Sequence, residues 1–306
     1  MHRFELIEDV ARLAPQEGLT ESAVPGLWFY RQSQATTEPL PVIYDPSICV
    51  IARGQKTLRV GNRTIRYDPW HYLVNALTLP VEATIEEASE ERPFLGFLIR
   101  FDAVELGKLL AEVDDHLEWP SDPCVGTMDA GPLEEPLLAA LHRLFHSLDH
   151  PADRRALAPS LMREALYAVL RGPLGPILRE QVSRGSAAHR IGRAVAFLEQ
   201  HFHEPLDIET IAETAAMSSS TLHHHFKRLT SLSPIQYVQR LRLHRARALL
   251  LSGWAAAEAG FEVGYRSPSQ FSREFRRLFG HPPSRLRPLP GEVARLPAAD
   301  GRAGTF

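Results

Sequence analysis

The side chains with the widest chemical repertoire lie in Ser218-Ser219-Ser220-Thr221-Leu222-His223-His224-His225-Phe226-Lys227-Arg228-Leu229. Three consecutive histidines could ligate a metal, move protons or meet a negatively charged partner. Ligands on a helix converge at i and i+3 or i+4, whereas adjacent residues diverge by about 100°. His201 and His203 lie upstream, but no Cys or carboxylate completes an evident ligand set. Neither a metal site nor a catalytic group is expected here. On a helix, Leu222, Phe226 and Leu229 form one apolar stripe, and Ser220, His223, His224 and Lys227 point away from it together. His225 falls beside the stripe.

The pattern returns 49 residues later. Phe271, Phe275 and Leu278 repeat the stripe, and Ser269, Ser272, Arg273 and Arg276 face out. The same shift places Pro234 on Pro283, and Glu209 and Glu213 on Glu258 and Glu262. Serine, histidine, arginine and lysine can hydrogen-bond base edges and neutralise phosphates. A merely solvated face would mix in acids, and Glu274, at the core-side margin, is the one acid on either segment. The paired faces predict contact with DNA.

Such faces need helices that start and stop in the right places. In the first unit Asp207 can cap a helix over 208–215, Leu206 and Ile211 can staple it, and Ser218 can cap the next. In the second, a helix over 254–262 gives way at Gly264-Tyr265; Ser267 caps, Pro268 sits at N1, and Gln270 at N3 predicts a capping box. Helix, tight turn, capped helix is the helix-turn-helix layout. Between the units, Pro234 opens a helix to Leu251 that spans roughly 27 Å. That length suits two helices held near the roughly 34 Å separation of successive major grooves. Its Arg240, Arg242, Arg245 and Arg247 suit backbone phosphates.

Upstream the pattern changes. Leu27-Trp28-Phe29-Tyr30, residues 47–52, Lys56-Thr57-Leu58-Arg59-Val60 and Tyr72-Leu73-Val74-Asn75 read as strands separated by Arg53-Gly54 and Gly61-Asn62, the spacing of a small sandwich or barrel. From about residue 101 the period is helical. Leu137, Leu138, Leu141, Leu144, Phe145 and Leu148 share one stripe, and a second helix over 154–170 ends at Gly172-Pro173-Leu174-Gly175-Pro176. The stripe fits packing on the barrel or on a second copy of the chain.

Charge follows the same division. Residues 1–185 carry 18 Lys/Arg against 27 Asp/Glu, while residues 186–290 carry 14 against 8 with eight histidines. A basic module on an acidic body points to a polyanionic partner for that module. Cys49 and Cys124 fit no metal or redox spacing, and neither a secretory h-region nor an apolar membrane span is evident, so a cytoplasmic location without membrane attachment is expected.

The segment Val263-Gly264-Tyr265-Arg266-Ser267-Pro268-Ser269-Gln270-Phe271-Ser272-Arg273-Glu274-Phe275-Arg276-Arg277-Leu278-Phe279-Gly280, followed by Pro282-Pro283, resembles the second helix-turn-helix of the AraC/XylS family of bacterial transcription regulators. Gly260 departs from the alanine common at its position. The N-terminal half is similar to one branch's cupin-like sensor domain, through Pro46 to Lys56, Tyr67-Asp68, Leu79-Pro80-Val81 and Ala88-Ser89. The resemblance implies an α+β chain: a cupin-like β-barrel over 1–130, a helical linker over 131–185 that could dimerise, a tandem helix-turn-helix domain over 186–290 with units at 207–229 and 256–279, and an unstructured tail over 291–306. It implies base contacts by Ser220, His223 and His224, and by Ser269, Gln270, Ser272 and Arg273. Phosphate contacts are expected from Lys227, Arg240, Arg245 and Arg276.

The implied partners are double-stranded DNA, RNA polymerase, a small-molecule effector and a second copy of the chain; no cofactor is implied. Trp28, Tyr30, Tyr44, Cys49, Trp70 and Tyr72 are candidates for an effector pocket. Two other readings stand beside this one. A cupin-type metal enzyme would need an H-x-H and a Glu, and only His71 lies in the corresponding region. A redox or electrophile sensor would need a reactive Cys49, although a strand cysteine is more often inert core.

Overall fold

The computed structural model describes residues 2–117, 119 and 126–286. Cys124, the last residues of the expected DNA-binding module and the 291–306 tail lie outside the described residues. Helix α1 (His2–Leu13) precedes nine strands: β1 (Gly18–Glu21), β2 (Leu27–Gln32), β3 (Leu40–Tyr44), β4 (Ser47–Arg53), β5 (Lys56–Val60), β6 (Arg63–Tyr67), β7 (His71–Asn75), β8 (Leu79–Ile85) and β9 (Phe94–Arg100). After α2 (Ala103–Val113) the chain returns to the sheet as β10 (Met128–Pro132). All pairings are antiparallel, in a six-stranded sheet ordered β1-β2-β9-β4-β7-β10 and a four-stranded sheet ordered β3-β8-β5-β6.

Alternation decides what each face of the larger sheet touches. Leu27, Phe29, Ile48, Val50, Tyr72, Val74, Leu95 and Phe97 point outward into a helical layer, whereas Cys49, Ile51 and Leu73 point inward toward Leu58, Ile65, Tyr67, Leu79 and Val81 of the smaller sheet. The helical layer comprises α1, α2, α3 (Glu135–Ser147), α4 (Pro151–Arg171) and α5 (Gly175–Val182). The stripe of Leu137, Leu138, Leu141, Leu144 and Phe145 is spent on this sheet, where Phe145 meets Phe29 and Phe97 edge-on. The break at Gly172–Pro176 is shorter than the sequence suggests: Pro176 lies in the first turn of α5 rather than in a loop.

The rest of the described chain is helical: α6 (Ala187–His201), α7 (Ile208–Thr214), α8 (Ser219–Thr230), α9 (Pro234–Leu251), α10 (Ala256–Glu262) and α11 (Pro268–Phe279). The first helix-turn-helix shares an apolar cluster with the smaller sheet, reaching from Leu58 and Val81 to Ile191, Leu222, Phe226 and Tyr237. Hydrogen bonds also cross this seam: Tyr237 Oη donates to the Thr78 carbonyl at 2.9 Å, and Thr127 Oγ1 donates to the Leu229 carbonyl at 2.9 Å. The second unit has its own small core of Leu243, Ala246, Val263, Tyr265, Phe271 and Phe275, and α11 approaches the barrel along β3.

Candidate nucleic-acid interface

In the first unit Asp207 caps α7, accepting from Thr210 N at 2.7 Å, and Ser218 caps α8, accepting from Thr221 N at 3.3 Å. Between them Ala216 holds a left-handed conformation at φ 52°. Leu222 and Phe226 are wholly buried, and Ser220, His223, His224 and Lys227 are exposed on the opposite face of α8. His225 is half-buried with its Nδ1 unpartnered among the described residues; burial first, then the charges of Arg228, His224 and Arg190, push its pKa below the ordinary histidine value.

The second unit repeats this arrangement with one difference. Helices α8 and α11 are related by the 49-residue shift, whereas α7 and α10 are related by 48, because Tyr265 and Arg266 occupy the turn where Met217 stands alone. Glu209 and Glu213 are therefore not the structural counterparts of Glu258 and Glu262. The left-handed residue is Gly264 at φ 93°, where a Cβ would collide with the carbonyl of His203. Phe271 and Phe275 are buried, Ser269, Gln270, Arg273 and Arg276 are exposed, and Ser272 is half-buried.

Only half of the expected capping box forms on α11. Ser267 accepts from Gln270 N at 3.3 Å, but the Gln270 amide donates to Glu274 at 3.1 Å instead of reaching back. Tyr265 Oη donates to the other Glu274 oxygen at 2.7 Å. Burial raises the Glu274 carboxyl, but hydrogen bonds from Gln239, Tyr265 and Gln270, with the Arg277 charge, outweigh it and hold the group below the usual range. The complete capping box lies on α9, between Ser233 and Gln236.

Helix α9 is packed on several sides, which engages most of its arginines within the fold. Arg242 donates to the carbonyls of Phe202 at 2.6 Å and Glu204 at 2.8 Å, tying the end of α6 to the second unit. Arg247 is 4% exposed over the Phe279 ring, and burial pushes its pKa down to about 10. Arg245, expected on phosphate, turns inward: its Nε is buried, its guanidinium lies 5.9 Å from the Phe202 ring, and it faces Glu199. Of the four, Arg240 alone remains half-exposed without such a packing role among the described contacts.

The effector candidates also divide. Tyr30, Tyr44 and Cys49 line the space between the two sheets, and alternation along β2 puts Trp28 on the side of Tyr30. Tyr72 points the other way and lines a cleft between α3 and α4 with Leu137, Tyr167 and Arg171, while Trp70 is 62% exposed. The residue missed from sequence is Lys56. Its Nζ sits 5.3 Å from the Tyr44 ring, 5.4 Å from Tyr30 and 5.9 Å from Phe94, and burial pushes its pKa down to about 8. Alternation with Leu58 and Val60 was the available signal. Burial pushes the Cys49 thiol up, away from the thiolate a reactive cysteine needs.

The chain thus joins a two-sheet barrel to two helix-turn-helix units whose outer faces carry Ser, His, Lys and Arg. The chain belongs to the AraC-type transcriptional regulators: residues 23–177 match that family's N-terminal domain, and residues 211–288 match a helix-turn-helix domain. It is 32% identical over 158 residues to the HTH-type transcriptional activator RhaS of Escherichia fergusonii, covering 51% of this chain and 56% of that protein. It is also 32% identical over 154 residues to RhaS of Salmonella schwarzengrund, covering 49% and 52%. The chain thus spans about half the length of the curated relatives it matches. In fold it is similar to ToxT of Vibrio cholerae, with a TM-score of 0.55 at 12% identity over 84% of this chain and 96% of that one. No described helix is long and apolar enough to cross a membrane.

Proposed function

We propose that this chain is a cytoplasmic, sequence-specific DNA-binding regulator whose two reading helices are α8 and α11. The observation that carries the reading is the pairing of buried Phe/Leu stripes with exposed Ser/His/Arg faces, twice, on helices joined by α9. Ser220, His223 and His224 from α8, and Ser269, Gln270, Ser272 and Arg273 from α11, are the base-contacting residues of this proposal. Lys227, Arg240 and Arg276 are its phosphate contacts; Arg245 is withdrawn from that role by its inward packing.

Regulation in this reading comes from a small molecule held between the sheets, with recruitment of RNA polymerase and pairing with a second chain as the outputs. Tyr30, Tyr44, Cys49 and Trp28 remain the lining candidates, and Lys56 favours an effector with an anionic or carbonyl group. The lining strand β3 also touches α9 and α11, so a change in the barrel has a short route to the DNA-reading unit. A non-enzymatic role fits an interior built from Leu, Ile, Val and Tyr, with His71 paired to Asp68 at 2.8 Å at the end of β7 rather than joined to a ligand set.

Footprinting of duplex DNA flanking the gene, followed by competition with single-base variants, tests the proposal. Arg273→Ala should cost about 1–3 kcal/mol and relax specificity at one base pair, whereas Arg240→Ala should weaken all sequences alike. An Arg273→Ala protein with an unaltered footprint and full specificity would remove α11 from the reading surface.

A further inference from the structure

Helices α1 and α3 bring together a second constellation that DNA reading does not use. Asp9, His142 and His146 each place one potential ligand atom within 4.8 Å of the others. Glu5 Oε2 lies 2.9 Å from His142 Nε2 and pairs with that ring from outside the group of three. Glu5 and Asp9 are one turn apart on α1, as are His142 and His146 on α3, so each helix contributes an i, i+4 pair. Such spacing stacks both side chains over one face. The helices are themselves fixed: Leu6 and Val10 of α1, and Leu138, Leu141 and Phe145 of α3, are buried in one cluster.

The two imidazoles meet edge-on through their ring nitrogens. His142 Nε2 and His146 Nε2 are 3.3 Å apart, with ring centroids at 4.5 Å. A single ring nitrogen carries either one proton or one lone pair. His142 Nε2 can serve a carboxylate oxygen and a second imidazole nitrogen only by sharing one N–H between them, which weakens both contacts, and when both rings are protonated the two charges repel. A central cation removes this conflict. For a tetrahedral zinc with bonds of about 2.05 Å to nitrogen, the edge between two ligand nitrogens is about 3.3 Å. The observed separation equals that edge. Arg12 donates to Asp9 Oδ1 at 3.0 Å and to Asp149 at 2.7 Å, which orients the Asp9 carboxylate and also supplies a competing positive charge.

We infer that Asp9, His142 and His146 form a binding site for a divalent transition ion of the zinc class, which clasps the N-terminal helix to α3. Two imidazoles with one carboxylate suit Zn²⁺, Ni²⁺ or Cu²⁺ better than Mg²⁺ or Ca²⁺, which take all-oxygen sets. Because the ligands must be deprotonated, binding strengthens as pH rises through the histidine range. The ion adds stability only to the folded chain, so loading raises the melting temperature.

The test uses tag-free full-length protein stripped with a chelator. Zn²⁺ is titrated against a chromophoric competitor, and Co²⁺ is added separately to read tetrahedral ligand-field bands. One equivalent per chain is expected, with a rise in melting temperature. His146→Ala, at an exposed position, and Asp9→Asn should each weaken Zn²⁺ on the order of 10–100-fold and abolish the thermal shift. Circular dichroism and duplex DNA binding check that both variants remain folded. His223→Ala combined with His224→Ala should leave Zn²⁺ affinity unchanged, which separates this site from the histidine triplet. Absence of stoichiometric binding, binding indifferent to His146→Ala and Asp9→Asn, or binding lost with the triplet variant would each overturn the inference.

Discussion

Ala216 shows how much a single backbone angle matters in this chain. It occupies the left-handed region in the turn of the first helix-turn-helix, where the second unit uses Gly264. That conformation costs an L-residue roughly 1–2 kcal/mol, while glycine gives back about 0.5–1 kcal/mol through the greater freedom of its unfolded chain. Ala216 is exposed, so its methyl contributes no core packing. Ala216→Gly should therefore raise stability by up to about 1 kcal/mol in urea denaturation of the full chain. A loss of similar size would show that the methyl makes a contact of its own. At this scale the sequence was readable where a side chain obeys a local rule. Ser218 and Ser267 cap, and Phe226 and Phe275 bury, because capping and periodicity need only neighbouring residues. Arg242, Arg245 and Arg247 were not readable, since their positions depend on α6, on the barrel and on α11. The α1–α3 constellation was hidden for the same reason: its ligands lie more than 130 residues apart in the chain.

Among the elements, α10 and α11 pack through Gly260. An added Cβ would come within 2.9 Å of the Phe271 ring, closer than packed carbons tolerate. Alanine gains about 1 kcal/mol of helix propensity, but overpacking a filled core costs typically about 1–3 kcal/mol. Gly260→Ala is expected to be net destabilising and to tilt α11, weakening contacts by Arg273 more than those by His223. A chemical-denaturation midpoint and a footprint of both half-sites measure the two effects; a stabilised variant with an intact footprint would contradict them. Strands β2, β4, β5 and β7 were visible as short β-rich runs. Strand β10 was not: Met128-Asp129-Ala130-Gly131-Pro132 has no strand character of its own and is extended because it pairs with β7. A strand completed by its neighbour leaves little trace in its own composition.

Across the whole molecule, the barrel and the first helix-turn-helix meet at a polar cluster beneath Tyr237. Burial, helped by the charge of Asp45, raises Glu199 to about 7 against the opposing pull of its Thr78 hydrogen bond and of Arg245 and Arg100. Arg100 itself is paired with Asp45. The sign follows from which state binds more protons. An ordinary glutamate loses its proton near pH 4.3 in the unfolded chain, whereas folded Glu199 keeps it until about pH 7. Stability from this group is thus greatest below about pH 4.3, falls as pH rises to about 7, and is flat beyond. Glu199→Gln should stabilise the chain at pH 8 by on the order of 1–3 kcal/mol, with the gap closing toward pH 5. Paired unfolding curves of the two proteins at both pH values provide the check, and a gap that widens on acidification would reverse the assignment.

The unequal anchoring of the two reading units has a consequence for the DNA as well as for the protein. One unit is welded to the barrel by a continuous apolar seam, whereas the other folds around a core of its own and meets the barrel where α11 runs along β3. Tolerance to spacing should therefore be lopsided. One base pair inserted between the two half-sites should leave the segment under α8 protected while protection under α11 fades. The operator would then carry a rigid half and a forgiving half, and the chain's orientation on DNA could be read from which half survives the insertion.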